Sequence, residues 1–309
     1  MVSIRLKNYN RAPKRLLSTG CKKQIRRAAV KTSGAVCSGN YFRDDSIRKL
    51  LKAYSIGKRK LLKKDKPKCF YCESQGEAML TLEVEHFRPK DGLNPIDLTA
   101  GQIHNGYYWL GNEWSNLLLS CRACNGGDAK GVRFPITNNG NRVFHDQPVN
   151  AANILNRNIC KLNSSRLLPE APVLINPEFD TPENHLTFDH TGQICHQPGS
   201  IRGQRTIEIL RLNRDPLLIA RQDILNDFIN DIRVLIEARR INRIANDAQL
   251  EASLEPIFRK IISRTSVVEA YTLWGRYINA NIENLVVSKV PNTYRQILRD
   301  AYQYVINNP

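Results

Sequence analysis

The sequence predicts an α+β protein in which a small metal-clasped module precedes a mainly α-helical C-terminal domain. Three observations carry this reading. Two CxxC pairs, Cys69-x2-Cys72 and Cys121-x2-Cys124, have the paired spacing of a four-thiolate zinc site. Between them Leu80, Leu82 and Val84 alternate with Thr81 and Glu83, the period of a half-buried strand. Further on, Leu217, Ile224, Phe228, Ile232 and Leu235 recur at helical spacing.

The chain has 309 residues and a net charge of +17. That length supports a sizeable core and two or more domains. No run approaches the roughly 18 apolar residues a membrane helix needs. The basic N-terminus has no apolar segment behind it of the kind a secretory signal carries. A cytoplasmic protein without a membrane partner is therefore expected. In that reducing compartment CxxC pairs are metal ligands more readily than disulfides. The scattered Cys21, Cys37, Cys160 and Cys195 lack ligand spacing and are expected to be ordinary thiols.

Charge is unevenly spread. Residues 1–68 hold 21 Lys and Arg against 3 Asp and Glu, whereas residues 69–309 hold 25 against 26. The whole surplus sits at the N-terminal end. Such a segment attracts polyanions, nucleic acid first among them, although a merely solvated arm has the same composition.

Four regions follow along the chain. Residues 1–66 are a basic N-terminal segment: an extended or partly ordered lead over 1–40, then a helix over 43–63 weakened at Gly57. That helix would display Lys58, Arg59, Lys60, Lys63 and Lys64 on an exposed face. Residues 67–136 are the cysteine-framed module: a strand ending at Glu85-His86, a long loop over 87–113, a strand at Leu117–Leu119 and a short helix within 121–130. Residues 137–200 connect, with a β-hairpin in which 186–188 and 193–195 flank Asp189–Gly192. Residues 201–309 form a helical domain. There Asp215-Pro216 opens one helix with Asp as N-cap, and Pro256 breaks or kinks a second. Ser266-x-x-Glu269 reads as a capping box opening a third through about Ile282. A last helix carries Tyr294, Ile297, Leu298, Ala301 and Val305.

The module contains groups suited to phosphodiester hydrolysis. The reaction needs an activated water, and a cation to neutralise the phosphoryl charge and the leaving oxygen. A neutral histidine serves the first need, so His86 is the candidate general base. Mg²⁺ takes few protein oxygens and keeps several waters, so Glu85 and Asn125 suffice as its candidate ligands. Asn116 would hydrogen-bond across the loop and hold the strand carrying His86. Zn²⁺ on Cys69, Cys72, Cys121 and Cys124 would replace a core that so short a module cannot build. Arg88, Lys90, Arg122, Lys130 and Arg133 are the candidate contacts to a nucleic-acid backbone. Tyr107, Tyr108, Trp109 and Trp114 are expected to pack the long loop rather than stack on bases. His104, His145, His185, His190 and His196 show no mutual ligand spacing and are expected to be structural or exposed.

The order Glu85-His86, Asn116, Asn125 within two CxxC pairs is that of an HNH nuclease. Cys69-Phe-Tyr-Cys72-Glu73, Val84-Glu85-His86-Phe87-Arg88-Pro89-Lys90, Tyr108-Trp109-Leu110, Glu113-Trp114-Ser115-Asn116-Leu117 and Cys121-Arg-Ala-Cys124-Asn125 follow in sequence. Lys130-Gly131, Phe134-Pro135 and Leu174-Ile175-Asn176-Pro177-Glu178 come after them. The set resembles the PtuB-like HNH nucleases of Septu and retron-associated antiphage defence, over roughly residues 45–222. The resemblance implies a ββα-metal fold with His86 as base and Glu85 and Asn125 at the metal. It also implies an SMC- or ABC-like ATPase partner and, in retron systems, a reverse transcriptase with its DNA–RNA product. The third motif position is Asn125 rather than histidine, a variant that occurs among active HNH enzymes.

The leading expectation is thus a metal-dependent endonuclease. DNA is the first candidate substrate and RNA, such as tRNA, the second, because phosphate contacts read no bases. The rival from another class is a zinc-stabilised nucleic-acid-binding module without catalysis.

Overall fold

The computed structural model describes residues 1–4, 12–37, 39–75, 81–145, 156 and 161–308. The expectations for Leu80, for Cys160 and for parts of the N-terminal lead and connecting region lie outside these residues. The described chain is helix-rich, with two two-stranded antiparallel sheets. It divides into two compact units, one of Met1–His185 with His196–Leu212, the other of Leu186–Cys195 with Asn213–Pro309.

The first unit begins with four helices: α1 (Lys14–Leu17), α2 (Thr19–Lys31), α3 (Gly39–Phe42) and α4 (Asp45–Tyr54). Within the lead, Lys14–Leu17 and Thr19–Lys31 are helical, while residues 1–4 have no regular secondary structure. In α2 the residues Cys21, Ile25, Ala28 and Ala29 are buried at helical spacing, while Lys22, Lys23, Arg27 and Lys31 stay exposed. Small cysteine and alanine side chains make this stripe, so apolar bulk gave no signal. Ser18 caps α2 by accepting the Cys21 N–H, and Asp44 caps α4 by accepting the Ser46 N–H. The expected helix over 43–63 stops at Tyr54. Gly57 takes a left-handed φ of +70° and turns the chain. The lysines beyond it lie on irregular backbone instead of a helix face.

Strands β1 (Leu82–His86) and β2 (Leu117–Cys121) pair antiparallel, with Val84 opposite Leu119 and His86 opposite Leu117. Every residue of β2 is buried. The expected helix after β2 is only α5 (Arg122–Asn125); Gly126 and Gly127 end it at once. Asn125 is its last residue rather than a residue near its start.

The long loop between the strands is ordered by aromatic packing. Tyr107, Tyr108, Trp109 and Trp114 are all buried. The rings of Tyr107, Tyr108 and Phe134 meet their neighbours edge-on, with centroids 4.9–5.5 Å apart. Helix α6 (Ile201–Leu210) completes this unit.

The second unit holds the hairpin of β3 (Leu186–Phe188) and β4 (Ile194–His196), whose last residue is grouped with the first unit. Then come α7 (Asp215–Arg240), α8 (Asp247–Ser263), α9 (Thr272–Ala280), α10 (Ile282–Leu285) and α11 (Asn292–Asn307). Arg214 is the N-cap of α7, and Asp215 is already helical. Pro256 does not break α8. It lies on the exposed face, and the buried face runs unbroken through Leu250, Leu254, Phe258 and Ile261. Ser266 opens no helix either. Tyr271 adopts a left-handed φ of +53°, so a continuous helix cannot pass it, and α9 starts at Thr272. Among the described residues no helix is long and apolar enough to cross a membrane.

Candidate functional site

The cysteine clasp forms where two turns meet. The first CxxC pair sits in a turn in which the Glu73 N–H donates to the Cys69 carbonyl at 3.0 Å and Cys69 N–H to Ser74 O at 3.1 Å. Glu73 closes that turn with a φ of +62°. Its buried carboxylate is met by Lys68 at 3.4 Å and by the Met1 ammonium at 2.8 Å, which offsets the strain of a non-glycine left-handed residue. The second pair spans the β2–α5 junction. Cys121 is the N-cap of α5, yet its thiol makes no capping bond and turns instead to the other sulfurs.

All four cysteines are buried and their sulfurs lie within 4.8 Å of one another. A tetrahedral Zn²⁺ with bonds of about 2.3 Å separates its sulfurs by roughly 3.8 Å. Cys72 Sγ and Cys121 Sγ stand 3.7 Å apart. The cluster therefore fits zinc in ligand type, number and spacing. Burial pushes the Cys69 thiol up, whereas S–H donation from Cys124 and Cys69 pulls the Cys121 thiol down. The remaining described cysteines, Cys21, Cys37 and Cys195, form no disulfide.

From this clasp β1 carries Glu85 and His86 to the wall of a cavity of about 210 Å³. Asn125, at the end of α5, lines the same cavity. So do Phe42 and Arg43 of the N-terminal segment, and Asp91. Sequence order had already grouped Glu85, His86 and Asn125. It held no signal for Phe42, Arg43 and Asp91, because only the fold brings them there.

His86 is fixed by its partners. Its Nε2 lies 2.8 Å from the Gly111 carbonyl. A carbonyl can only accept, so Nε2 carries the proton and Nδ1 keeps the basic lone pair. The Phe42 ring meets the imidazole edge-on, 4.7 Å between centroids. Enclosure of the ring disfavours the imidazolium and holds the pKa down at about 3, with Lys90, Lys130 and Arg43 adding to the effect. His86 is accordingly a neutral base near pH 7, although it remains half-buried at the cavity wall.

Asn116 locks the turn after His86. Its Oδ1 accepts the Arg88 N–H at 2.8 Å, and its Nδ2 donates to the carbonyls of Arg88 at 2.9 Å and Leu110 at 3.3 Å. The loop leaving β1 and the loop entering β2 are thus held by one buried side chain. Asn125 donates from Nδ2 to Glu83 Oε2 at 3.3 Å, which orients its amide.

Two expected phosphate contacts are not at the surface. Lys130 is fully buried, with its ammonium 2.5 Å from Glu85 Oε1 and 2.9 Å from the His86 carbonyl. Burial raises the Glu85 carboxyl and Lys130 opposes that shift. Arg88 is 2 % exposed and is bound to Glu170 at 2.9 Å and to the Leu167 carbonyl. Both cations hold the module together from inside, because an unpaired buried Glu85 or Glu170 would be costly. Arg133 is only partly available, since it grips Asp97 with both nitrogens. Arg122 is exposed, and Lys90 is half-buried beside Asp91.

The other histidines are tied down or peripheral. His104 Nδ1 accepts the Gly106 N–H while Nε2 meets the Val143 carbonyl. His145 pairs with Tyr108 and His185 with Ser200, whereas His196 is exposed and His190 lies in the hairpin turn.

The chain is 31% identical over 234 residues to Septu protein PtuB of Bacillus mycoides (strain KBAB4), which covers 74% of this chain and 69% of that protein. The chain belongs to the Septu PtuB family. A second relative, Septu protein PtuB of Bacillus thuringiensis, is 30% identical over 179 residues, 57% of this chain and 49% of that PtuB. Septu protein PtuA of Bacillus mycoides (strain KBAB4) is 29% identical over 214 residues, but this match spans only 25% of the PtuA. The chain thus spans about half of the second PtuB relative and a quarter of the PtuA relative. No family model matches the sequence, and no solved structure matches it significantly.

Proposed function

We propose that this Septu PtuB family member is a metal-dependent HNH endonuclease of an antiphage defence system, controlled by a partner ATPase. The observation that carries the reading is one cavity lined by a carboxylate, an amide and a neutral histidine, Glu85, Asn125 and His86. The orientation of His86 supports it further, since the Gly111 carbonyl leaves Nδ1 as the free base.

His86 Nδ1 takes a proton from water as the water oxygen bonds to phosphorus. The ester P–O bond on the opposite side breaks, and the departing oxygen gains a proton from solvent. Glu85 and Asn125 would hold a hard divalent cation, which supplies charge neutralisation at the phosphoryl group and the leaving oxygen. Glu85 enters that role from its contact with Lys130, and Glu83 keeps the Asn125 amide oriented. Asn116 positions His86 through the loop that follows it. Zn²⁺ on the four cysteines is structural. DNA is the first substrate to try and RNA the second.

The test is His86→Ala in the full chain, assayed on DNA and RNA with Mg²⁺ and with chelator, with and without the partner ATPase. Cleavage should fall by about 10²–10⁴-fold, the usual contribution of a general base, with zinc content and melting preserved. Undiminished cleavage would remove the assignment. Binding that weakens with salt, without turnover under any of these conditions, would instead favour the non-catalytic nucleic-acid module.

A further inference from the structure

The basic N-terminal segment lies outside the cysteine-framed module, yet it builds part of the cavity wall. Phe42 ends α3 and touches the His86 ring, and Arg43 follows it directly. We propose that Arg43 is a further catalytic residue, whose guanidinium grips a non-bridging oxygen of the phosphate being cut. This rests on the nuclease reading above.

Three observations carry it. Arg43 lines the cavity that holds Glu85, His86 and Asn125. It is exposed, and among the described residues its guanidinium has no hydrogen bond or ion pair. Other arginines of this unit differ: Arg88 is committed to Glu170, Arg133 to Asp97 and Arg202 to Asp180. The carboxylate next in sequence, Asp44, is engaged as the cap of α4 and with Arg15. Lys90, the cavity's other surface cation, already has Asp91. Arg43 is therefore the cavity cation with hydrogen-bonding capacity in reserve.

Its direction is also restrained. The side-chain stem runs so close to Gly39 that a Cβ there would stand 3.1 Å from Arg43 Cδ. The guanidinium carbon sits 5.4 Å from the Phe42 ring centroid, a cation–π distance. The Phe42 ring thus contacts both the His86 imidazole and the Arg43 guanidinium. A guanidinium presents a planar fork that matches two phosphate oxygens and keeps its charge at any working pH. Arg43 takes no part in bond making. Its role is to stabilise charge that grows on the phosphoryl oxygens during attack. The alternative for an exposed arginine is a solvated surface charge without a ligand.

The experiment uses the full chain, with Arg43→Ala, Arg43→Lys and, as a control, Arg240→Ala in the second unit. The probes are a fluorescein-labelled single-stranded DNA and an RNA of the same sequence. Binding is read by anisotropy in Ca²⁺ across salt concentrations, and cleavage in Mg²⁺ at saturating probe, with and without the partner ATPase. Arg43→Ala should lower the salt slope of binding by about one, as expected for the loss of one phosphate contact. Where the wild type cleaves, the saturating rate should fall by about 10²-fold, in the range seen when one charge-stabilising donor is lost. Arg43→Lys should recover part of both. Melting and zinc content should stay unchanged. A salt slope and rate equal to those of Arg240→Ala would overturn the role of Arg43 and leave the nuclease reading intact. A wild type that neither binds nor cuts either probe would overturn both.

Discussion

In the cysteine-framed module, two five-residue strands and a four-residue helix surround four buried cysteines. In the C-terminal unit, helices of 26, 17 and 16 residues interlock through Leu250, Leu254, Phe258, Ile261 and Leu298. The first arrangement has little regular structure, and beside its buried aromatic and leucine side chains it also buries Lys68, Glu73, Glu85, Arg88 and Lys130. The second follows the ordinary helical pattern and, among its described residues, buries a single charged side chain, Arg221. The difference teaches where chemistry can be placed. A metal clasp fixes backbone without filling the space around it, so a cavity lined by polar groups can sit beside it. A close-packed helical core leaves no such room.

The comparison can be broken most sharply at Cys121. Cys121→Ser should release Zn²⁺ and unfold the module, a loss of more than about 5 kcal/mol given the affinity of structural zinc sites. Metal analysis would show the loss of zinc, and circular dichroism would show one melting step lost while the helical signal of the C-terminal unit persists. Unchanged zinc content and melting would mean that the cysteines are not the clasp.

A smaller effect is expected in the helical unit. Leu254 is fully buried between α8 and its neighbours. Leu254→Ala should cost about 2–5 kcal/mol by leaving a cavity. Denaturant melts should show it, with zinc content unaffected. Zinc loss in this variant would show that the two regions do not unfold independently.

The smallest effect is a pH dependence confined to the module. The folded-state pKa of His86 is depressed to about 3, so the unfolded chain binds the extra proton below its ordinary value of 6.5. The stability it contributes is complete above pH 6.5 and is lost as pH falls toward 3. The half-buried position tempers the size, to about 1–3 kcal/mol at the acid end of that window. His86→Ala should flatten this part of the stability curve in melts across the window. An unchanged slope would place the acid sensitivity in other groups.

Much of the site was legible in the residues. The CxxC spacing, the alternation into Glu85-His86 and the order of Asn116 and Asn125 are local or motif-like features; Glu85, His86 and Asn125 line one cavity, the four cysteines form one cluster, and Asn116 is buried against the loop that follows His86. The aromatic packing of the long loop followed from density alone. What was not legible has a common cause. Arg88 and Lys130 read as surface cations because charge along a chain says nothing of depth, and their carboxylate partners are Glu170 and Glu85, far away in sequence. The stripe of α2 was hidden by its small side chains. The break expected at Pro256 does not occur: α8 continues through it, with the ring on the exposed face.

By itself the sequence determined the four cysteines that cluster, the strand that carries Glu85 and His86 and the helical character of the C-terminal region. Each of these rests on periodicity or on spacing between neighbours, which survive without knowledge of the fold. Tertiary structure alone decided that Gly111 sets the tautomer of His86, that Lys130 meets Glu85 inside the protein, and that Phe42 and Arg43 complete the cavity wall. Those contacts join residues from separate turns of the chain. Their geometry depends on how loops close over the clasp, and no local pattern of amino acids records that closure.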